Sequence, residues 1–228
     1  MTRLLTIDTS GLVTQVALAL DGVLLNQKKI HSKRASQSVL RLVSEVLRES
    51  NVSLRQVDAM CVVTGPGSFT GLRVGVGVAQ GLSSAKEIPL LGVSTLALHA
   101  KSAFTLTTQY DQCVVSMNAR EAEVYVGRYE IVSGALQLHE EEFVLKLNND
   151  FKKDVEEGQH DLVGVGDGWQ RKKQITNILG IKLKGEIINN GYLNKDIIDL
   201  ASQKLKESND SVSGVLLPNY VKEQLDYS

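Results

Sequence analysis

The 228-residue sequence has only two cysteines, three prolines and one tryptophan, and its formal net charge is −1. Cys61 and Cys113 lie far apart without Cys-x-x-Cys spacing, which predicts buried, reduced thiols in a cytoplasmic protein. The near-zero charge argues against a protein that holds nucleic acid alone by neutralising phosphates. No run approaches the roughly 18 apolar residues of a membrane span, and Asp8 interrupts the short apolar start, so we expect neither a membrane anchor nor a signal peptide.

Hydrophobic residues make up 43% of the chain, enough for a substantial core. The first half alternates strand-like and helix-like patterns in the order βββαβαβα. Asp21-Gly22 between the second and third runs is typical of a tight hairpin. Ser36 is the expected N-cap of the first helix. The predicted strands are 4–9, 14–20, 23–30, 59–64 and 90–93, and the predicted helices are 37–49, 69–86 and one from Thr95.

The second half repeats this order, with Asn149 as the expected cap of a short helix. Its predicted strands are 113–117, 123–131, 135–144, 162–165 and 181–188, and its predicted helices are 150–157, 169–179 and 194–207. The repeat predicts an α/β protein of two ribonuclease-H-like domains, the actin-like (ASKHA) arrangement. We expect domains at 1–105 and 106–228, with the C-terminal tail packing back on the first.

The helix predicted at 69–86 contains four glycines, each costing about 1 kcal/mol relative to alanine. Two smooth stripes recur at four-residue spacing: Gly71, Gly75 and Ala79, and Gly77, Gly81 and Ala85. Such stripes serve either tight packing on the protein's own sheet or close approach by a partner. On the partner interpretation, the predicted interface consists of Leu40, Val43, Leu47, Gly71, Gly75, Val78, Ala79 and Leu82.

Two turns carry the residues that an actin-like nucleotide site would use. Asp8, Thr9 and Ser10 follow the first strand, and Gly67 and Ser68 precede a helix N-terminus, whose free N–H groups can bind an anion. An actin-fold small-molecule kinase or ATPase would use Asp8 as its metal-holding carboxylate, opposite Gly166-Asp167-Gly168. Alternatively, Asp8 caps its own turn, Ser68 caps the helix and Gly166-Asp167-Gly168 is a plain loop. The Walker pattern is absent, which excludes a Walker-type loop.

Several segments together resemble the TsaB (YeaZ) family over nearly the whole chain. They are Ile7–Ser10, Gly65–Arg73, Gly75–Leu82, Pro89–Leu96 and Asn118–Tyr125. The resemblance implies a non-catalytic partner of the TsaD threonylcarbamoyltransferase, which makes threonylcarbamoyladenosine in tRNAs reading codons that begin with A. It also implies a TsaE-like ATPase in a larger complex, tRNA contact only through that complex, a homodimer when alone, and ATP or ADP near the interface. Family members often carry His-Ser where this chain has Ala35-Ser36. This difference casts doubt on any role for the side chain at position 35.

The TsaD family binds its metal through two histidines four residues apart, so that both imidazoles share one helix face. This sequence has Thr95 and His99 at those places, so we expect no metal site and no catalytic residues. Arg73 is either a contact for a partner carboxylate or a solvated side chain. Arg171-Lys172-Lys173 is either a solvated face or a contact for a tRNA backbone, and Trp169 is expected to anchor a core.

Overall fold

The computed structural model describes residues 1–31, 35–147, 162–187, 191–207, 216–219 and 221. The chain forms two compact units, Met1–Thr95 with Leu193–Tyr220, and Leu96–Tyr192 with Val221–Ser228. The expected boundary after residue 105 is therefore wrong. The third helix of the first repeat belongs to the second unit, and the last helix of the second repeat belongs to the first.

The first unit is built on a five-stranded sheet in the order β3-β2-β1-β4-β5. Strands β1–β3 are antiparallel, whereas β4 and β5 continue from β1 in parallel. Asp21 and Gly22 both have positive φ, 50° and 80°, as the predicted hairpin requires. The strands are β1 Arg3–Asp8, β2 Val13–Leu20, β3 Val23–His31, β4 Ala59–Gly65 and β5 Leu90–Ser94.

The first unit's strands are followed by helices at three points. Helix α1, Val39–Glu49, comes after β3, helix α2, Phe69–Lys86, comes after β4, and helix α3, Thr95–Leu106, comes after β5. Helix α1 begins at Val39 rather than Gln37, because Ala35–Gln37 forms a separate 3₁₀ turn and Ser38 holds the N-cap position. The prediction of Ser36 as the cap is therefore wrong. The buried face of α1 joins β1, β2, β4 and α2 in one apolar core.

The second unit repeats the sheet with strands in the order β11-β10-β6-β7-β8, and β9 also pairs with β7. The predicted third strand is interrupted, because β8 and β9 pair with opposite ends of β7. The strands are β6 Gln112–Asn118, β7 Glu123–Val132, β8 Ala135–Leu138, β9 Phe143–Lys146, β10 Leu162–Val165 and β11 Gly185–Ile187.

The helix predicted at 169–179 starts as a 3₁₀ turn, Asp167–Arg171, and continues as α4, Lys172–Leu179. The buried indole of Trp169 donates a hydrogen bond to the Val114 carbonyl oxygen at 2.9 Å and anchors the second core, as predicted. The predicted helix 150–157 and its cap Asn149 lie outside the described residues.

Helix α5, Asn194–Glu207, packs on the sheet of the first unit. The short segment 216–219 packs there too. The Asn219 N–H donates to the Thr64 carbonyl oxygen at 2.8 Å, and Leu216 joins the first core. Over the described ranges, no helix combines the length and the hydrophobicity needed to cross a lipid bilayer.

Candidate functional site

The turn after β1 packs directly against the N-terminal half of α2. The Thr9 hydroxyl donates to the Gly71 carbonyl oxygen at 2.7 Å, and the Ser68 N–H donates to the Ser10 carbonyl oxygen at 2.6 Å. A methyl group at Gly71 would lie 2.1 Å from the Thr9 carbonyl oxygen, and one at Gly75 would lie 2.1 Å from Thr9 Oγ1. Only glycine allows this approach of helix and turn.

The inner stripe of α2, Gly71, Gly75 and Ala79, is therefore used within the chain, and all three residues are buried. Thr9 of the turn after β1 faces Gly71 and Gly75, and Ala79 belongs to the first apolar core. Their role as partner contacts stays a prediction. Val43 and Leu47 of α1 are also buried in the first core and offer no free surface.

The outer stripe of α2 has the opposite environment. Gly77 and Gly81 are exposed, and apart from the adjoining residues and the backbone of α2 itself, no described heavy atom lies within 4 Å of a methyl group built on either. Val78 and Leu82 are only partly buried. Leu40 on α1 is 54% exposed. Of the predicted interface residues, Leu40, Val78 and Leu82 thus keep accessible surface, and the two outer glycines join them.

The N-terminal turn of α2 carries one pairing that the sequence did not predict. The Arg73 guanidinium carbon lies 3.8 Å from the ring centroid of Phe69, a cation–π contact. Their spacing of four on a helix was the available signal. Phe69 remains 55% exposed, so this pair forms an accessible end to the outer stripe.

The Asp8 carboxylate is 4% exposed and accepts hydrogen bonds from its own chain. Its Oδ1 accepts from the Ser10 N–H at 2.8 Å and from the Ser10 hydroxyl at 2.7 Å. Its Oδ2 accepts from Gln15 Nε2 at 2.9 Å. These contacts match the interpretation of Asp8 as the cap of its own turn.

The start of α2 is likewise capped locally. Ser68 Oγ accepts from the Gly71 N–H at 3.3 Å, which matches the capping alternative. The Ser10 carbonyl oxygen lies at the same terminus, where a methyl group on Gly67 would be 2.5 Å away from it. The Ser10 carbonyl oxygen thus accepts from one N–H group at this terminus, that of Ser68.

The second unit contains a matching turn after β10. Gly166, with φ of 102°, directly follows β10, and Gly65, with φ of 111°, is the last residue of β4. A methyl group on Gly168 would lie 2.2 Å from Ser116 Oγ, so this turn also abuts the first strand of its sheet. Asp167 Oδ1 accepts from the Asn118 N–H at 3.0 Å. This hydrogen bond joins the loop after β10 to the end of β6, so the Asp167 carboxylate has a structural role within the second unit.

His99 is buried on α3, 7% exposed, with its ring edge-on to Tyr192 at a centroid distance of 5.5 Å. Burial lowers the pKa of His99, although the Asp167 charge acts in the opposite direction. Burial raises the pKa of Cys61 to about 12 and raises that of Cys113 as well. Within the described ranges, no three His, Cys, Asp or Glu side chains are grouped as a metal site would need.

The family model described as TsaD, tRNA N6-adenosine threonylcarbamoyltransferase, matches residues 20–203. The chain is 32% identical to the tRNA threonylcarbamoyladenosine biosynthesis protein TsaB of Escherichia coli (strain K12), over 90% of this chain and 88% of the relative. It is 29% identical to the TsaB protein of Bacillus subtilis (strain 168), over 78% of this chain and 77% of that one.

Solved structures agree with these sequence relatives. YeaZ from Pseudomonas aeruginosa superposes with a TM-score of 0.76 at 30% identity, over 91% of this chain and 93% of that chain. A second Pseudomonas aeruginosa protein, described as similar to peptidase YeaZ, gives 0.82 at 29% identity, over 97% of this chain and all of that chain.

The fold and the site together define a duplicated α/β protein of the actin-like class, in which the turn after β1 and the turn after β10 are each held by hydrogen bonds within their own unit. The relatives reported above narrow this class of protein to one family. The chain belongs to the TsaB (YeaZ) family, within the wider group that the threonylcarbamoyltransferase model matches.

Proposed function

We propose that the chain acts in the formation of N6-threonylcarbamoyladenosine in tRNAs reading codons that begin with A, as the non-catalytic partner of a TsaD-type threonylcarbamoyltransferase. The name of the Escherichia coli relative, a tRNA threonylcarbamoyladenosine biosynthesis protein, supports the pathway. The proposed setting is the cytoplasm. A TsaE-like ATPase completes the complex, and the chain pairs with itself when the transferase is missing.

The non-catalytic role is supported by what the polar residues do. Asp8 is hydrogen-bonded within its own turn, and Asp167 is hydrogen-bonded to the end of β6. His99 has Thr95 one turn before it in place of a second imidazole, and a lone buried imidazole is a poor metal site.

The proposal of a partner surface rests on one observation, the pair of exposed glycines on α2. Each glycine in a helix costs about 1 kcal/mol relative to alanine. Gly71 and Gly75 have an internal reason for their lack of a side chain, but Gly77 and Gly81 have open space beside them in the described chain. A partner helix that lies across α2 would use that space, because small residues let helix axes come closer than the usual 8–10 Å.

The proposed interface therefore consists of the outer stripe of α2 with Leu40 of α1, flanked by Val78 and Leu82. ATP or ADP would bind beside it, near the exposed start of α2 at Gly67 and Ser68. Equilibrium dialysis of labelled ADP against the chain, the transferase and their mixture tests that part. Retention by the mixture alone supports it, whereas no retention by the mixture contradicts it.

The interface is tested with Gly77→Leu by titration calorimetry against a purified TsaD-type transferase. The new side chain overpacks a close helix contact, so the association should weaken by about 1–3 kcal/mol. Gly191→Leu is the matched control, because it makes the same change into open space in the second unit. Equal affinities of the two folded variants would place the interface elsewhere.

A further inference from the structure

The second unit carries a concentrated basic surface at its sheet edge. We define the α4 basic surface as Arg171, Lys172, Lys173, Lys182 and Lys184. Between Gly166 and Ile187 the chain has five basic residues against two acidic ones, although its overall formal charge is −1. The charge is therefore local, which the composition of the whole chain conceals.

The lysines before β11 lie on one side of their segment. Ile181 and Leu183 pack against the core of the second unit, whereas Lys182 and Lys184 between and after them are exposed. The alternation continues into the exposed Glu186 on the edge strand β11. Successive side chains of an extended segment point to opposite sides, so the two lysines and Glu186 share the outer one.

The start of α4 lies on the same side of the second unit as Lys182 and Lys184. Lys172 Nζ lies 2.5 Å from Glu186 Oε1, which connects the first turn of the helix to the edge strand. Lys173 is exposed and Arg171 is half-buried next to it. Two elements thus bring their basic side chains together on one surface.

Part of this charge has no acidic partner among the described residues. Apart from the Lys172–Glu186 pair, the described ranges show no ion pair for Arg171, Lys173 or Lys182. The first turn of α4 contains no acidic residue, although the helix dipole favours acidic residues there. The arrangement is therefore unfavourable for the isolated fold, and an anionic partner would relieve it.

We propose that the α4 basic surface binds the phosphate backbone of RNA. Basic side chains spread over two elements match a row of phosphates better than a single anion. A-form RNA is recognised largely through such phosphate and 2′-hydroxyl contacts rather than through its bases. The proposal deepens the function proposed above, on which it rests only for the identity of the RNA as the tRNA substrate.

The test measures the binding of a tRNA transcript to the full chain by fluorescence anisotropy over a series of salt concentrations. The variant is Lys173→Ala with Lys182→Ala. The control is Lys29→Ala with Lys195→Ala, which removes the same charge from exposed positions of the first unit. Circular dichroism verifies the fold of both variants.

Loss of two phosphate contacts should weaken binding about tenfold at about 0.1 M salt and flatten the slope of log affinity against log salt by about two. The control should bind like the wild type. Equal affinity of variant and wild type, or an equal loss in the control, would overturn the proposal. Tighter binding to vesicles of phosphatidylcholine and phosphatidylglycerol than to RNA at the same salt would also overturn it, in favour of a membrane surface.

A second arm repeats the measurement with the transferase present. The Lys173/Lys182 variant should bind the transferase like the wild type while the complex binds tRNA more weakly. If the chain fails to bind the transferase at all, the proposed function fails, and the tRNA measurement on the chain alone still decides the role of the α4 basic surface.

Discussion

Two glycines that are two residues apart on α2 should respond to the same substitution with opposite signs. Gly75→Ala should lower the free energy of unfolding, whereas Gly77→Ala should raise it. The reason is that Gly75 faces Thr9 of its own chain and Gly77 faces open space. Because both residues share one helix, intrinsic helix propensity alone would predict the same stabilisation at both.

The magnitudes follow from the geometry. At Gly77 the new methyl group meets no atom within 4 Å, so the gain is the helix propensity of about 1 kcal/mol. At Gly75 the methyl group would lie 2.1 Å from Thr9 Oγ1, so either the turn or the helix must move by more than about 1 Å. Such overpacking typically costs about 1–3 kcal/mol, and it also strains the Thr9 hydrogen bond to the Gly71 carbonyl oxygen.

Urea denaturation followed by circular dichroism measures both changes. Thr9→Ala supplies a double-mutant cycle, because it removes the hydroxyl that the Gly75 methyl group would strike. Gly75→Ala should therefore cost less stability in the Thr9→Ala background than in the wild type. Stabilisation by Gly75→Ala, or equal costs in the two backgrounds, would refute the inner packing of this stripe.

Three further predictions concern buried groups. Since burial lowers the pKa of His99 below its ordinary 6.5, the unfolded chain takes up this proton first. The free energy of unfolding should therefore fall as the pH drops below about 6.5, and urea denaturation should show a smaller fall for His99→Gln. Cys61 and Cys113, with raised pKa values, should resist iodoacetamide at about pH 8 until urea unfolds the chain, and mass spectrometry of labelled native protein would reveal any exception. Asp8→Ala leaves the Ser10 N–H without this acceptor and should cost about 1–3 kcal/mol of stability, and ATP turnover that this variant abolishes would restore the kinase alternative.

Much of the fold follows from local patterns in the sequence. The hairpin at Asp21-Gly22 was predictable because this pair readily adopts the positive φ values that a two-residue turn needs. The repeated order of strands and helices was predictable because each element shows its own hydrophobic period. Trp169 was identified as a core residue, although the 3₁₀ turn in which it lies was not.

The faces and partners of the helices were not predictable in the same way. Gly71 with Gly75 and Gly77 with Gly81 have the same spacing, and only the turn at Thr9 decides which pair is internal. The exchange of α3 and α5 between the two units has a similar cause. The apolar face of a helix does not by itself indicate which sheet the helix covers. In the second repeat, the division of the third strand into β8 and β9 depends on pairing with opposite ends of β7.

We propose that this chain supports a TsaD-type transferase without performing the chemistry itself. The most direct measurement is formation of threonylcarbamoyladenosine in a tRNA transcript, detected by mass spectrometry of its nucleosides, with purified TsaD-type transferase, the TsaE-like ATPase and activated threonylcarbamoyl donor. We expect product only when this chain is added, equal product with Asp8→Asn at a temperature where that variant is folded, and much less with Gly77→Leu. Product without the chain would contradict the supporting role, and undiminished product with folded Gly77→Leu would contradict the interface on α2.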